Sequence, residues 1–126
     1  MNHMFGGCES LKELDLSGWD TSNVKDMGSM FDGCKSLVEL DLSHFDTFNV
    51  EKMRNMFENC ESLIELDLSH FDTSNVRTME AMFLNCKSLN TLTIFDLNMH
   101  NELIMDRIFF GCESLVELDL SSWSNT

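Results

Sequence analysis

Proline is absent from this 126-residue sequence, and lysine and arginine are scarce. Eight basic residues stand against 22 acidic ones, which gives a formal net charge of −14. Nucleic acids and anionic membrane surfaces are bound through dense Lys/Arg surfaces, so this balance argues against both as partners. A cationic protein or a divalent metal ion is the kind of partner that such a charge attracts. The absence of proline suits a chain in which every segment pairs its backbone with a neighbour.

Long apolar runs are lacking as well. No stretch approaches 18 consecutive apolar residues, so we expect no transmembrane helix. Residues 1–6 lack a basic region and a long apolar core, so they do not form a secretory signal, and no Asn-x-Ser/Thr acceptor site is present. The hydrophobic fraction of 43% is ordinary for a folded protein and argues against disorder.

The main feature of the sequence is a repeat of constant period. Its cysteines are 26 residues apart, without insertion or deletion, at positions 8, 34, 60, 86 and 112. We therefore predict a single domain of five coils over residues 1–126, each coil contacting only its neighbours. Met1 occupies the repeat position of Met27 and Met53, so the chain begins inside a repeat. We expect both ends to be truncated and to lack the polar caps that close a solenoid.

Four of the five repeats contain a Leu-x-x-Leu-x-Leu pattern, exemplified by Leu37, Leu40 and Leu42. This spacing is typical of the short strand that lines a leucine-rich solenoid. Strand side chains alternate between faces, so the leucines should point inward while Glu39 and Asp41 point outward. A turn-like Asp-Thr-x-Asn run follows, and then apolar residues at helical spacing predict a short helix (Val50, Met53, Met56, Phe57).

These features predict an α/β repeat solenoid. We expect a right-handed stack of leucine-rich coils with a parallel β-sheet on one face and short helices on the other. The fourth repeat departs most from the pattern, because Thr91, Thr93 and Phe95 replace the usual Glu, Asp and Ser.

The motifs resemble the BspA-like leucine-rich repeat family, whose 26-residue repeat was first described as a mycoplasma domain of unknown function. Residues 4–27 follow that family's pattern, Met-Phe-x-x-Cys-x-Ser-Leu-x-x-Leu-Asp-Leu-Ser-x-Phe/Trp-Asp-Thr-Ser-Asn-Val-x-x-Met, almost letter for letter. Residues 30–53 and 56–79 follow it with one or two changes. The resemblance implies a cell-surface or secreted protein with roles in adhesion, and it implies no catalytic or cofactor residues.

Several residue sets could suggest chemistry. The cysteine spacing gives no local zinc ligands, so we interpret the cysteines as buried free thiols. Nine of the ten methionines hold two repeat positions, which favours core filling. His44 and His70 share a repeat position beside acidic residues, which leaves a transition-metal site conceivable but not preferred. No Ser or Cys pairs with a His at a signature spacing, so we predict neither an enzyme nor a bound cofactor.

The outward strand residues are the candidate partner-binding set. They comprise two carboxylate rows and the irregular fourth repeat: Glu13, Asp15, Glu39, Asp41, Glu65, Asp67, Thr91, Thr93, Phe95, Glu117 and Asp119. We predict a non-enzymatic protein-interaction or adhesion module whose acidic strand face receives a basic protein ligand. A solvated face inherited by repeat duplication explains the same rows. A passive spacer in a longer surface protein and packing stabilised by divalent cations are the alternatives.

Overall fold

Leucines that recur every 26 residues pair with one another across a parallel sheet in the computed structural model, which describes residues 1–94 and 103–118. Strand β1 is Glu65–Asp67, β2 is Thr91–Thr93 and β3 is Glu117–Leu118, in the order β1-β2-β3. The register places Leu66 beside Leu92 and Leu92 beside Leu118. Equivalent residues of consecutive repeats are therefore direct neighbours.

The sheet continues toward the amino terminus as looser pairing. Val38 N–H donates to Lys12 O at 3.4 Å, and Ile64 N–H donates to Val38 O at 3.3 Å. The alternation predicted for the strand is confirmed, because Leu40, Leu42, Leu66 and Leu68 are buried whereas the residues between them are exposed. Burial of one side of each segment fixes the register, since a slip of one residue would expose the leucines.

A second line of contacts joins the repeats outside the sheet. Isolated parallel bridges connect Asp26 to Lys52, Lys52 to Thr78 and Thr78 to Ile104, again one repeat apart. Each repeat therefore meets the next at two separated places, and the apolar side chains between them form one continuous core.

The predicted short helices are absent from residues 1–94 and 103–118. In the segment that suggested a helix, Met53 N–H and Asn55 N–H donate to Thr78 O and Glu80 O of the next repeat, at 3.0 and 2.9 Å. Asn55 has a φ of 58° and Asn59 a φ of 62°. An α-helix needs an unbroken right-handed run with i→i−4 bonds, and left-handed residues at this interval prevent it. The segment is a series of turns that bond to the next repeat.

The apolar spacing nonetheless identified the core correctly. Val50, Met53, Met56 and Phe57 are fully buried, as are their equivalents in the repeats on either side except Val24, which is partly buried. Phenylalanine rings form a column with centroids 5.6–5.7 Å apart and planes within 8° of parallel, through Phe5, Phe31, Phe57, Phe83 and Phe109. Aromatic pairs at such separations add stabilisation beyond the area they bury.

The cysteines form a second column beside the rings. Cys60 Sγ donates to Phe31 O at 3.2 Å, and Cys86 Sγ donates to Phe57 O at 3.1 Å, so each thiol bonds the preceding repeat. The predicted burial is confirmed for Cys34, Cys60 and Cys86, while Cys8 and Cys112 at the ends are half-buried. The thiols act as small apolar groups that also donate a weak hydrogen bond.

A buried threonine column, which the sequence did not reveal, ties the turns together. Thr47 Oγ1 donates to Asp72 O and accepts from Asp72 N–H, both at 2.9 Å. Thr21 makes the same pair of bonds to Asp46, at 3.1 and 2.9 Å. Both threonines are 2% exposed. The Thr of each Asp-Thr turn therefore links one repeat to the next.

Candidate interaction surface

The outer side of the sheet is an open depression that runs across the repeats. Its lining combines equivalent residues of four consecutive repeats, which lie in strands only in β1 and β2: Glu13, Leu14, Asp15, Glu39, Leu40, Asp41, Glu65, Leu66, Asp67, Thr91 and Thr93. Nine of the eleven predicted partner-binding residues are among the described residues, and all of these except Glu117 line the depression. Phe95 and Asp119 lie outside the described residues.

The aspartates of the depression have an internal structural role. Asp15, Asp41 and Asp67 each accept a hydrogen bond at Oδ1 from the backbone N–H two residues later, at 2.9–3.0 Å. Such Asx turns redirect the chain directly after each aspartate, and strand β1 accordingly ends at Asp67. The hydroxyl and backbone N–H of Ser43 hold the pKa of Asp41 below its usual value, and Ser17 and Ser69 do the same for Asp15 and Asp67. One carboxylate oxygen of each aspartate is therefore committed to the turn.

We expect Asp41→Ala to make the free energy of unfolding less dependent on pH in the acid range. A carboxylate with a lowered folded pKa stabilises the fold above its unfolded pKa of about 3.8, and this contribution is lost as the pH falls through the folded value. The stability difference between wild type and Asp41→Ala should be constant above ~pH 5 and shrink below ~pH 4. Urea unfolding across this range measures it. Asp41→Asn, which keeps the acceptor but cannot ionise, is the control, and a difference that does not vary with pH would contradict the assignment.

The glutamates of the depression have no such role. Glu13, Glu39 and Glu65 are exposed, and none of their side-chain carboxylates makes a hydrogen bond or ion pair in the described part of the chain. Neighbouring strands lie about 4.8 Å apart, and like charges at that distance in water repel by roughly 1 kcal/mol. We call these residues with Glu117 the glutamate column. Its carboxylates are free to meet a partner.

Exposed aliphatic side chains flank the glutamate column. Val38 is 44% exposed, Ile64 48% and Val116 72%, and they share one repeat position. Lys12 and Asn90 hold that position in the remaining repeats. The surface therefore offers an apolar edge beside a row of negative charge, a combination typical of protein-interaction sites.

The fourth repeat changes the chemistry of the depression. Thr91 and Thr93 replace Glu and Asp, so the row of charge is interrupted between Glu65 and Glu117. Thr91 Oγ1 donates to Asn90 Oδ1 at 3.1 Å, and the side chain of Thr93 is exposed. The irregular repeat therefore presents neutral hydroxyls where the others present carboxylates.

The residues that could suggest catalysis or metal binding have other partners. His70 Nε2 lies 2.6 Å from Leu42 O, and His44 Nδ1 lies 3.1 Å from Ser43 Oγ. No group of three or more His, Cys, Asp or Glu side chains is placed to hold a metal within residues 1–94 and 103–118. Burial raises the pKa of Cys34 to about 11 and that of Cys60 well above its usual value, so these thiols are poor nucleophiles.

The predicted absence of a membrane-crossing helix agrees with the structure as far as it is described. None of the segments in that part of the chain forms a helix with the length and hydropathy needed to cross a bilayer.

Comparison with known proteins gives a family but no described activity. Searches of curated proteins and of solved structures returned no match. The family model DUF285, described as a mycoplasma protein of unknown function, matches residues 1–123. This match confirms the coarser part of the resemblance stated from the sequence. With nearly its whole length covered, the chain belongs to this mycoplasma family of unknown function.

Proposed function

We propose that this chain is a non-enzymatic protein-interaction module that binds a basic protein segment on its acidic strand face. The observation that carries the proposal is the glutamate column, of which Glu13, Glu39 and Glu65 line the open depression and no member forms an ion pair within the described residues. Natural strands do not favour Glu at these positions, so strand propensity does not explain the column. A cationic partner would neutralise it.

The roles of the aspartates reduce the set of residues that we assign to partner binding. Because Asp15, Asp41 and Asp67 serve Asx turns, their presence is explained without a partner. The glutamate column and the aliphatic edge formed by Val38, Ile64 and Val116 are the parts that the fold itself does not require. We infer that a ligand places Lys or Arg over the glutamates and apolar side chains over the edge.

Neutralising the glutamate column should weaken binding without weakening the fold. We expect the triple variant Glu13→Gln/Glu39→Gln/Glu65→Gln to bind a peptide of alternating lysine and valine about tenfold less tightly at low salt. Its melting temperature should stay equal or rise, since repulsion along the column is removed. Fluorescence anisotropy with a labelled peptide and thermal unfolding measure the two effects.

Glutamates at another repeat position provide a matched control for the triple variant. Glu9, Glu61 and Glu113 share a different repeat position outside the depression, so Glu9→Gln/Glu61→Gln/Glu113→Gln changes the net charge equally. We expect this control to alter peptide binding less than about twofold. Equal losses in both triple variants would mean that net charge rather than the strand face attracts the peptide, and the proposal would fail.

We also propose that the stacked repeats are coils of a leucine-rich-repeat solenoid of the BspA-like type, displayed at a cell surface or secreted. In-register parallel pairing and the buried leucines support the solenoid. The surface location rests on the family resemblance alone.

A passive spacer is the second candidate. The observation that favours it is the continuous column of stacked phenylalanines and inter-repeat hydrogen bonds, which hold consecutive repeats in a fixed register. A spacer needs no ligand, so it predicts that neither triple variant changes the affinity for any partner.

A further inference from the structure

The acidic depression carries parallel rows of side chains that run across the strand segments, along the stack of repeats. The middle row is the glutamate column, with Glu13, Glu39 and Glu65 in consecutive repeats. An exposed aliphatic side chain, Val38 or Ile64, precedes each of the last two, and an Asx-turn aspartate lies two residues after each glutamate. A ligand that meets every member of a row therefore runs along the stack rather than along a strand.

The spacing of the glutamates matches one side of an α-helix. Hydrogen-bonded segments of neighbouring repeats lie about 4.8 Å apart, so Glu13 and Glu65 are separated by about 9.6 Å. Residues i, i+3 and i+7 of a helix share one side and span about 10.5 Å. Three cations at this spacing meet the three carboxylates with a cumulative mismatch of about 1 Å, which flexible lysine side chains accommodate.

Other regular conformations do not match this spacing. Side chains on one side of an extended segment recur about every 6.7 Å, so a third cation lies almost 4 Å beyond Glu65 when the first is over Glu13. A polyproline II segment returns to the same side about every 9.3 Å, so it passes over Glu39 without a cation. Of these three conformations, the helix alone presents a cation to each glutamate.

The backbone chemistry of the surface favours a helix as well. Strand β1 pairs with β2 in register, and Ile64 N–H donates to Val38 O, so backbone groups here are engaged within the sheet plane. The face consequently offers side chains to a ligand. An extended peptide placed on it loses water from its own N–H and C=O groups without replacement, whereas a helix satisfies these groups internally.

The width of the surface fits a single helix. From Val38 to Asp41 is three residues, about 10 Å along the chain, and a helix with its side chains is about 10–12 Å wide. Helix positions i+4 and i+8 lie in the stripe next to i, i+3 and i+7. When the cations lie over the glutamate column, apolar side chains at these two positions reach the aliphatic edge.

From these matches we infer that the partner is a basic amphipathic α-helix that lies along the stack. It places Lys or Arg at i, i+3 and i+7 over the glutamate column and apolar residues at i+4 and i+8 against the aliphatic edge. This inference rests on the proposed binding of a basic segment and adds its conformation and direction. Thr91 follows Glu65 in register, so a cation at i+10 meets a neutral side chain instead of a carboxylate.

Three labelled peptides of identical composition test the helix. The first is an alanine-rich peptide of about 18 residues with lysines at i, i+3 and i+7 and leucines at i+4 and i+8. The second is its diastereomer with several D-residues, which cannot form the helix, and the third is a helix whose lysines are distributed around the axis. We expect the first to bind about tenfold more tightly than the others at low salt, since each ion pair contributes a few-fold. Fluorescence anisotropy measures the affinities.

Thr91→Glu provides a gain-of-function test of the register. This change adds a carboxylate between Glu65 and Glu117, where neighbouring repeats already carry one. A helical peptide with a fourth lysine at i+10 should bind this variant about threefold more tightly than wild type. Its diastereomer has the same charge, so an effect of net charge would raise both affinities equally. Equal gains for the two peptides overturn the inference.

The peptide series also separates the inference from the proposed function. If all three peptides bind wild type equally and lose affinity for the triple glutamate-to-glutamine variant, a basic segment binds the strand face but the helix is wrong. If none of the peptides binds wild type, both the inference and the proposed function fail. Tighter binding of the first peptide that disappears in the triple variant supports both.

Discussion

Phe57→Ala is expected to lower the free energy of unfolding by about 3–5 kcal/mol, a large part of the ~5–15 kcal/mol typical of a whole domain. The ring is fully buried and stacks on Phe31 and Phe83 at 5.6 Å on both sides. Its removal leaves a cavity between two repeats that cannot collapse, because backbone hydrogen bonds hold both neighbours in register. Chemical denaturation followed by far-ultraviolet circular dichroism measures the loss.

The matched control is Phe48→Ala, which removes the same side chain from a position that is 54% exposed. Its effect should be within about 0.5 kcal/mol of zero, as for other surface substitutions. A comparable loss in the two variants would show that the phenylalanine column does not hold the repeats together. A loss confined to Phe57→Ala would locate the stability in the column rather than in aromatic content.

Thr47→Val should cost about 2–3 kcal/mol, although the two side chains have nearly the same shape. Valine fills the space of threonine but can neither donate to Asp72 O nor accept from Asp72 N–H, and the native bonds are both 2.9 Å long. The position is 2% exposed, so water cannot replace the hydroxyl at Thr47 itself. Equilibrium unfolding in urea measures the loss.

Thr93→Val provides the control for Thr47→Val. The Thr93 side chain is exposed on strand β2, and its hydroxyl has no hydrogen-bond partner among the described residues. Valine is as favourable as threonine in a strand, so little change in stability is expected. If Thr47→Val were equally neutral, the threonine column would be a consequence of the turn rather than a link between repeats.

The core could be predicted from the sequence because its signal is periodic. Leu37, Leu40, Val50, Met53 and Phe57 all lie where the repeat spacing places them, and all are buried. The same spacing suggested a helix wrongly. Apolar residues at i, i+3, i+6 and i+7 face one side of a helix, but they also face one side of consecutive turns interrupted by left-handed residues.

The sequence predicted which residues form the candidate site, but it did not predict that the aspartates and the glutamates have different roles. Both carboxylate rows were expected to face outward, and in the described residues they do. The Asx turns at Asp15, Asp41 and Asp67 depend on the backbone direction after each strand, which the identity of a residue does not specify. Only the hydrogen bonds separate the structural aspartates from the unpaired glutamates.

By itself the sequence determined the 26-residue unit, the buried residues and the acidic character of the strand face, because each follows from composition and period. Tertiary structure decided how the units join. An N–H in the turn segment can bond four residues back along a helix or across to the next repeat, and both choices satisfy it. The bond to the next repeat forms because Asn55 and Asn59 take left-handed conformations that end any helix. The neighbouring repeat also offers a carbonyl within 3 Å.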